Sequence, residues 1–195
     1  MIRSILKLLY VGRKKIQGLV NRYLEFETKV VHKGRIQIGD RFYFTVFPTF
    51  HFDQSNSFII LKDKVSIRGL VAFNFYDNGQ IIVGENTFIN NGCTLNSLGK
   101  IVIGDNCLIG ENVKMYDHNH CYRSTDKLIR NQGYNISPIT IGDNCWLGAN
   151  VTILKGVTIG NNSVVGANCL IVKDVPPNSL VVSGQEYQKV SIIGS

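Results

Sequence analysis

Four histidines in this 195-residue chain are the side chains best suited to moving a proton near neutral pH. Two of them, His118 and His120, follow Asp117 in the sequence Asp-His-Asn-His. An imidazole there could take the proton from a hydroxyl group as its oxygen attacks a carbonyl carbon. Two histidines could also bind a metal ion, but a third ligand from a neighbouring segment is missing. We therefore expect proton transfer and no metal.

Aliphatic residues recur at every sixth position on both sides of this segment. They are Val83, Ile89, Leu95, Ile103, Ile109 and Met115, and then Ile141, Leu147, Ile153, Ile159, Val165 and Ile171. A period of six cannot form one face of an α-helix, whereas three hexads make one triangular coil that stacks on the next. The sequence therefore predicts an all-β solenoid of five or six coils.

Other positions of the hexad are also restricted in residue type. Asn or Gly recurs three residues after the aliphatic position, as at Asn86, Asn106 and Asn144, and both types tolerate positive φ. The position after it is small or β-branched, and four of the five cysteines occupy it: Cys93, Cys107, Cys145 and Cys169. We expect these thiols to be compact core residues, because no CxxC pair supports a zinc or redox site.

Insertions in the register all fall after a third hexad, so they leave the solenoid along one edge. The largest places residues 116–138, which include both histidines, in a projecting loop. Long loops in a compact repeat are commonly functional. This loop carries Arg123, Lys127 and Arg130 with Asp126 as its only acid, beyond Asp117 at its base. Its charge suits an acidic sugar or a nucleotide- or lipid-linked phosphate. Alternatively, it is a solvated loop that binds no ligand.

The net charge of +7 is concentrated near the start of the chain, where six of the 21 Lys and Arg residues lie within 22 positions. A nucleic-acid-binding protein would carry its basic residues on the folded body among exposed aromatics, so we expect no nucleic-acid partner. Apolar residues at helical spacing through 1–26 predict a basic amphipathic helix. It would either cap the solenoid or contact an anionic membrane surface.

The predicted organisation has three parts: the helix 1–26, a β-helix domain 27–182 with its loop 116–138, and a tail 183–195. Pro176 and Pro177 are expected to stop the last coil. No apolar run is long enough to span a membrane, and the start lacks a signal-peptide cleavage site. We expect a cytoplasmic location, either free or peripheral at the inner face of the membrane.

The hexads, the segment ITIGDNCWLGANVTILKGVTIGNNSVVGANCLIVKDVPP and the DHNH loop together resemble the hexapeptide-repeat acyltransferases. Within that superfamily they are most similar to the sugar O-acetyltransferases and xenobiotic acetyltransferases, over about residues 38–184. The resemblance implies a left-handed parallel β-helix and a homotrimer with active sites between subunits. It also implies direct acetyl transfer from acetyl-CoA, without a metal.

The resemblance also implies roles for individual residues. His120 matches the catalytic base, and His118 and Asp117 would orient it or contact the substrate. Cys121 could suggest a covalent acyl-enzyme, but the family implies direct transfer. The positions that match the acetyl-CoA groove are Trp146, Gly148, Ala149, Ala167, Val172 and Lys173. Backbone N–H groups near Gly148 are candidate oxyanion donors.

The acceptor site departs from the family pattern. Asn90 matches a polar position that sugar-binding relatives use. However, Ser97 and Leu98 stand where those relatives place an acidic residue, which argues against a simple galactoside- or maltose-type acceptor. Residues 183–186 replace the usual Gly-Asn-Pro-Ala ending, so the resemblance does not extend to how the tail contacts the adenine end of CoA.

The predicted function is acetyl-CoA-dependent O-acetylation of a sugar hydroxyl, in the biosynthesis of a surface polysaccharide such as capsule or lipopolysaccharide. Two alternatives use the same site: O-acetylation of an antibiotic or other xenobiotic, and N-acetylation of an amino sugar. A third belongs to a different class, a solenoid scaffold without catalysis. The histidine pair together with Trp146 and Lys173 argues against the scaffold.

Overall fold

A computed structural model describes residues 32, 34–53, 56–183 and 188–192, the last range by its backbone alone. The chain divides into two compact units, residues 1–37 and 38–195. The predicted amphipathic helix 1–26 lies outside the described residues. In the described part of the first unit, the backbone N–H and Nε of Arg35 donate to the His32 carbonyl at 2.9 and 3.1 Å.

The described residues form short β-strands joined by tight corners. In chain order they are β1 (Ile36–Ile38), β2 (Tyr43–Phe44), β3 (Thr49–Phe52), β4 (Phe58–Leu61), β5 (Ser66–Ile67), β6 (Ala72–Phe75), β7 (Gln80–Val83), β8 (Phe88–Ile89), β9 (Thr94–Ser97), β10 (Lys100–Ile103), β11 (Leu108–Ile109), β12 (Lys114–Tyr116), β13 (His118–His120), β14 (Tyr134–Ile136), β15 (Ile139–Ile141), β16 (Trp146–Leu147), β17 (Thr152–Leu154), β18 (Thr158–Ile159), β19 (Val164–Val165), β20 (Leu170–Ile171), β21 (Ser179–Ser183) and β22 (Gln188–Ile192). One short 3-10 helix covers Ile129–Asn131. No helix in the described part of the chain has the length and apolar character that a membrane span needs.

Parallel strands stack into three faces. In the second unit the first face runs β4-β7-β10-β15-β18, the second β2-β5-β8-β11-β16-β19-β21, and the third β3-β6-β9-β12-β17-β20. Successive members are separated by one coil, and the described residues make about six coils. This parallel solenoid matches a left-handed β-helix of hexapeptide repeats, which confirms the predicted fold class.

The core is built from the aliphatic positions of the hexad, as predicted. Each of the twelve is at most 2% exposed. On the second face, Ile89, Ile109, Leu147 and Val165 lie in direct register from coil to coil. Burying such a side chain contributes about 1.5–3 kcal/mol, so the stacked columns are the main source of stability. The four cysteines of the small position are also buried, as expected.

The recurring asparagines form the corners. Asn144 and Asn162 have φ of 53° and 59°, in the left-handed region that few other residues adopt easily. Their backbone N–H groups donate to carbonyls of the preceding coil at 2.8 and 2.9 Å. The Nδ2 of Asn144 also donates to the Oδ1 of Asn162 at 2.9 Å, so the side chains form a ladder along the corner.

The prolines near the end do not stop the coil, contrary to the expectation. Val175 bridges to Ile159 on the first face, and β21 continues the second face beyond β19. Asn178, with φ of 57°, and buried Ser179 repeat the corner pattern. The prolines are tolerated because no further described strand stacks on this face to need their missing N–H groups. The predicted tail also contains β22, which pairs antiparallel with β21.

The insertion between β12 and β15 leaves the coils intact. Strand β12 pairs with β9 on one side and with β17 on the other, as if no residues intervened. The inserted segment contains an antiparallel pair, β13 and β14, and the 3-10 helix. The predicted projecting loop is therefore a structured hairpin at its base.

Candidate functional site

The two histidines lie on the first strand of the inserted hairpin. His118 is opposite Ile136, and His120 is opposite Tyr134. The chain reaches this strand from Met115, which is fully buried in the third face. The hairpin thus begins directly from a rigid coil, and this fixes the height of both imidazoles along the solenoid.

Asp117 is the residue between the coil and the hairpin, and it is fully buried. Its Oδ1 accepts hydrogen bonds from the backbone N–H of Leu98 and from His118 Nδ1, both at 2.9 Å. Its Oδ2 accepts from the N–H of Gly99 at 2.9 Å and from the hydroxyl of Ser97 at 2.8 Å. Both oxygens are therefore occupied by the chain itself.

These contacts determine the charge of Asp117. Burial acts to raise the pKa of the carboxyl, but the hydrogen bonds from His118, Leu98, Gly99 and Ser97 outweigh it and hold the pKa below its ordinary value. The carboxylate is ionised at neutral pH, so Nδ1 of His118 donates to it. In the neutral ring this leaves Nε2 as a proton acceptor.

Aromatic rings surround the imidazole of His118, which is 14% exposed. Tyr76 and Tyr134 meet it edge-on, with ring centroids 6.2 and 5.5 Å away. Tyr134 also packs against His120 at 4.6 Å. His120 itself is exposed. One tyrosine thus contacts both histidines.

A cavity of about 280 Å³ opens beside these rings; we call it the histidine cavity. Its lining residues are Tyr76, Asn96, Leu98, Tyr116, His118, His120 and Tyr134. Asn96 is 8% exposed, and its Oδ1 accepts from Asn74 Nδ2 at 2.9 Å. Its Nδ2 is buried and has no hydrogen-bond partner among the described residues. A buried unpaired amide donor beside two imidazoles suits a ligand oxygen.

Sequence reasoning missed Tyr76, Asn96, Tyr116 and Tyr134. Asn96 and Tyr116 follow the last core aliphatic of successive third-face strands and lie in register. The hexad register could therefore have brought them together. Tyr76 and Tyr134 lie in insertions after that face, where no repeat fixes their positions.

The predicted cofactor-binding residues lie on other surfaces of the coils. Trp146 and Val172 are each 53% exposed, and Ala167 and Lys173 are exposed as well. Ala149 is half-buried. An exposed indole and an exposed ammonium group fit the apolar arm and the phosphates of CoA. Among the described residues that line the histidine cavity, none belongs to this predicted set.

Gly148 has a different environment from the one expected. Its N–H donates to the Val165 carbonyl of the next coil at 2.7 Å, so it is not free to stabilise an oxyanion. A Cβ at this position would lie 2.6 Å from the backbone nitrogen of Ala167. The glycine is therefore required for close packing of successive coils.

The predicted acceptor residue Asn90 lies at a corner of the second face, and its Nδ2 donates to Glu111 Oε1. It is not among the residues that line the histidine cavity. Within the described ranges, no group of three or more His, Cys, Asp or Glu residues could hold a metal ion.

One family model matches part of the chain. The model of the hexapeptide repeat of succinyl-transferase matches residues 100–114 and 138–173, on both sides of the insertion. No curated protein matches the sequence.

Solved structures of acetyltransferases share the fold. A hexapeptide-repeat-containing acetyltransferase from Vibrio cholerae O1 biovar eltor, complexed with acetyl coenzyme A, is 28% identical, with 85% of this chain and 75% of that chain covered and a TM-score of 0.56. A maltose O-acetyltransferase from Clostridium difficile 630 is 28% identical, covering 85% and 74%, with a TM-score of 0.58. A galactoside acetyltransferase in complex with coenzyme A is 26% identical, covering 91% and 80%, with a TM-score of 0.57.

These neighbours support acyltransferase activity, and two of them hold acetyl coenzyme A or coenzyme A, the expected co-substrate. The repeats, the parallel coils and the likeness to these enzymes agree with one another. The chain contains hexapeptide repeats, and its predicted resemblance to the hexapeptide-repeat acyltransferases is confirmed.

Proposed function

We propose that this protein transfers an acetyl group from acetyl-CoA to a hydroxyl group of a sugar. The observation that carries the proposal is the histidine cavity, which is lined by two imidazoles and by Asn96, whose buried Nδ2 has no hydrogen-bond partner among the described residues. The maltose and galactoside acetyltransferases among the neighbours support a saccharide acceptor.

The reaction needs a proton acceptor, and we assign that role to His120. Its imidazole takes the proton of the acceptor hydroxyl while the hydroxyl oxygen bonds to the acetyl carbonyl carbon. The carbon–sulfur bond then breaks, and the departing thiolate takes the proton back from the imidazolium. We assign the binding of a substrate oxygen during this step to Nδ2 of Asn96, because this residue lines the cavity and its amide donor is unpaired among the described residues.

His118 is the second candidate for the base, and the contact with Asp117 favours it. A carboxylate on Nδ1 fixes the ring and leaves Nε2 free to accept a proton, which is the arrangement of a general base and its orienting acid. Position in the family motif favours His120. If His120 is the base, the Asp117–His118 pair positions the strand that carries it.

The separation of Trp146 from the histidine cavity within one chain supports an active site shared between subunits. A homotrimer would bring the exposed indole of one subunit toward the histidines of another.

Unpaired cysteines throughout the described chain fit a reducing cytoplasmic compartment. We propose surface polysaccharide as the material that is modified; acetylation of a xenobiotic or of an amino sugar uses the same chemistry.

Release of the CoA thiol from acetyl-CoA tests the proposal, with sugars, an amino sugar and a hydroxylated antibiotic as acceptors. We expect His120→Ala to lower kcat by about 100-fold or more, since general bases contribute 10²–10⁴-fold. His118→Ala is measured beside it, and His51→Ala, at an exposed histidine of β3, is the matched control. Mass and NMR analysis of the product separates O- from N-acetylation.

Two results would contradict the proposal. Full activity in both His118→Ala and His120→Ala would show that the histidine cavity takes no part in the reaction. A wild-type protein that binds no CoA in calorimetry would favour the scaffold.

A further inference from the structure

A second, larger cavity lies within the inserted loop; we call it the loop cavity. Its volume is about 630 Å³, within the range of small-molecule sites. His120 lines both this cavity and the histidine cavity, whereas its neighbours Asn119 and Cys121 line the loop cavity alone. A molecule that fills the loop cavity therefore contacts the residue that we propose as the base.

Three cationic side chains line the loop cavity: Arg123, Lys127 and Lys155. The described residues that line the cavity include no Asp or Glu. Asp126 lies in the same loop but does not line the cavity. None of the three cations takes part in an ion pair within the described part of the chain. Like charges in one concave space repel each other and attract an anion.

The side chain of Gln132 holds the loop in this shape. Its Oε1 accepts from the N–H of Ser124 at 3.0 Å, and its Nε2 donates to the carbonyls of Ser124 and Lys127, each at 2.9 Å. These bonds fix the turn that carries Arg123 and Lys127. The third cation, Lys155, comes from the coil immediately after β17. The cationic wall therefore joins the loop to the rigid solenoid.

Uncharged polar groups complete the wall. Asn119, Asn131 and Asn135 line it beside the cations, and their amides can both donate to and accept from hydroxyl groups. A site with three cations and several amides matches a polyhydroxylated molecule that carries a carboxylate or a phosphate.

We propose that the loop cavity binds the anionic group of the sugar acceptor, either a carboxylate or a phosphate. This inference rests on the proposed acetyl transfer to a sugar. Contact between the anion and the three cations would hold the sugar so that one hydroxyl group reaches His120. A neutral sugar lacks this contact and binds more weakly.

Acetyl transfer to three probes tests the proposal: glucuronic acid, glucose 6-phosphate and glucose. We expect kcat/KM for one of the anionic sugars to exceed that for glucose by about tenfold or more, since one charge-assisted contact contributes about that factor. The two anionic probes separate a carboxylate site from a phosphate site. Added NaCl should raise the KM of the preferred anionic sugar more than that of glucose.

Charge-removing variants locate the site. Arg123→Gln, Lys127→Gln and Lys155→Gln should each raise the KM of the anionic sugar by about five- to tenfold. They should leave the KM of acetyl-CoA and the thermal midpoint unchanged. Arg130→Gln is the matched control, because this loop cation does not line the cavity.

Three results would overturn the inference. One is a preference of the wild-type enzyme for glucose over both anionic sugars. Another is a rise in the KM of acetyl-CoA in the three variants, which would assign the cations to the phosphates of CoA. If none of the sugars is acetylated, saturation-transfer NMR measures binding of the anionic sugars directly. Equal signals from wild-type protein and the Arg123→Gln/Lys127→Gln variant would then exclude the site, whatever the reaction.

Discussion

The Oδ1 of Asp117 lies 2.9 Å from the Nδ1 of His118, and Asp117 is fully buried whereas His118 reaches the cavity. This contact links the end of a solenoid strand to the proposed reaction centre. The same carboxylate also accepts hydrogen bonds from the turn at Leu98 and Gly99. One residue therefore contributes both to stability and to the orientation of an imidazole.

The stability of the protein should depend on the ionisation of Asp117. The native pKa of this carboxyl is held below its ordinary value, so its stabilising contribution is complete above that value. The contribution is lost as the pH falls through the native pKa. We expect Asp117→Asn to lower the free energy of unfolding at neutral pH by about 2–4 kcal/mol, since an amide cannot accept all four bonds.

Urea denaturation between about pH 7 and about pH 3 measures this effect. The difference between wild-type protein and Asp117→Asn should shrink toward the acid end. Asp126→Asn, at an exposed loop acid, is the control and should follow the wild type. A constant difference across the pH range would show that the carboxylate charge is not the cause.

Trp146 should contribute to binding of acetyl-CoA without contributing much to folding. Its side chain is 53% exposed on the second face, so Trp146→Ala removes only part of the buried surface that a core substitution removes. We expect the KM of acetyl-CoA to rise about tenfold, whereas the thermal midpoint should fall no more than in the exposed-aromatic control below. Steady-state kinetics and differential scanning fluorimetry give both values.

Tyr43→Ala is the matched control for Trp146→Ala. Tyr43 is 55% exposed on the same face, four strands away, or about 19 Å at the usual strand spacing. Equal effects of the two substitutions on acetyl-CoA would contradict a specific role of the indole.

The asparagine corners should require a residue that tolerates positive φ. Asn162 has φ of 59° and bonds through its side chain to Asn144 and Asn178. Both Asn162→Gly and Asn162→Ala lose the ladder, but only alanine adds strain. We expect the free energy of unfolding of Asn162→Ala to be about 1 kcal/mol lower than that of Asn162→Gly.

The neighbouring Asn161, which has no positive φ, provides the comparison for Asn162. There the alanine variant should be at least as stable as the glycine variant, because glycine costs chain entropy. The same order of stability at both positions would show that φ does not determine the choice of asparagine.

Cys121 should be the thiol that reacts in the folded protein. It is half-buried in the wall of the loop cavity, whereas the other four cysteines are buried in the coils. Burial raises the pKa of Cys93 to about 11, which leaves little reactive thiolate. Ellman's reagent should label one thiol quickly in native protein, none in Cys121→Ser, and all five in urea. Rapid labelling of Cys121→Ser would show that the coils open readily.

The coils were predictable because their pattern is local. Each hexad needs one aliphatic residue, one residue that tolerates positive φ and one small residue, and these choices are visible in the sequence at Ile103, Asn106 and Cys107. The same pattern continues through Val175, Asn178 and Ser179. The adjacent prolines obscured it, because proline is usually read as the end of a strand.

The site was predictable only in part. His118, His120 and Asp117 stood out by residue type, and the register placed them at an edge of the solenoid. Tyr76 and Tyr134 reach the histidine cavity from different insertions, and their meeting depends on the pairing of the inserted hairpin. The occupied N–H of Gly148 was also hidden, since a one-dimensional pattern does not show which backbone groups the next coil uses.

The unbroken pairing of β12 with β17 across the insertion has a consequence for how such a protein can change. The coils before and after the inserted segment stack in register across it, so the part of the segment beyond the hairpin strands, residues 122–132, is free to vary in length and charge while the scaffold is kept. Exchange of these residues would alter acceptor preference and leave Asp117, His118 and His120, the core columns and the corner ladders in place. A new specificity in this architecture need not be obtained at the expense of the fold.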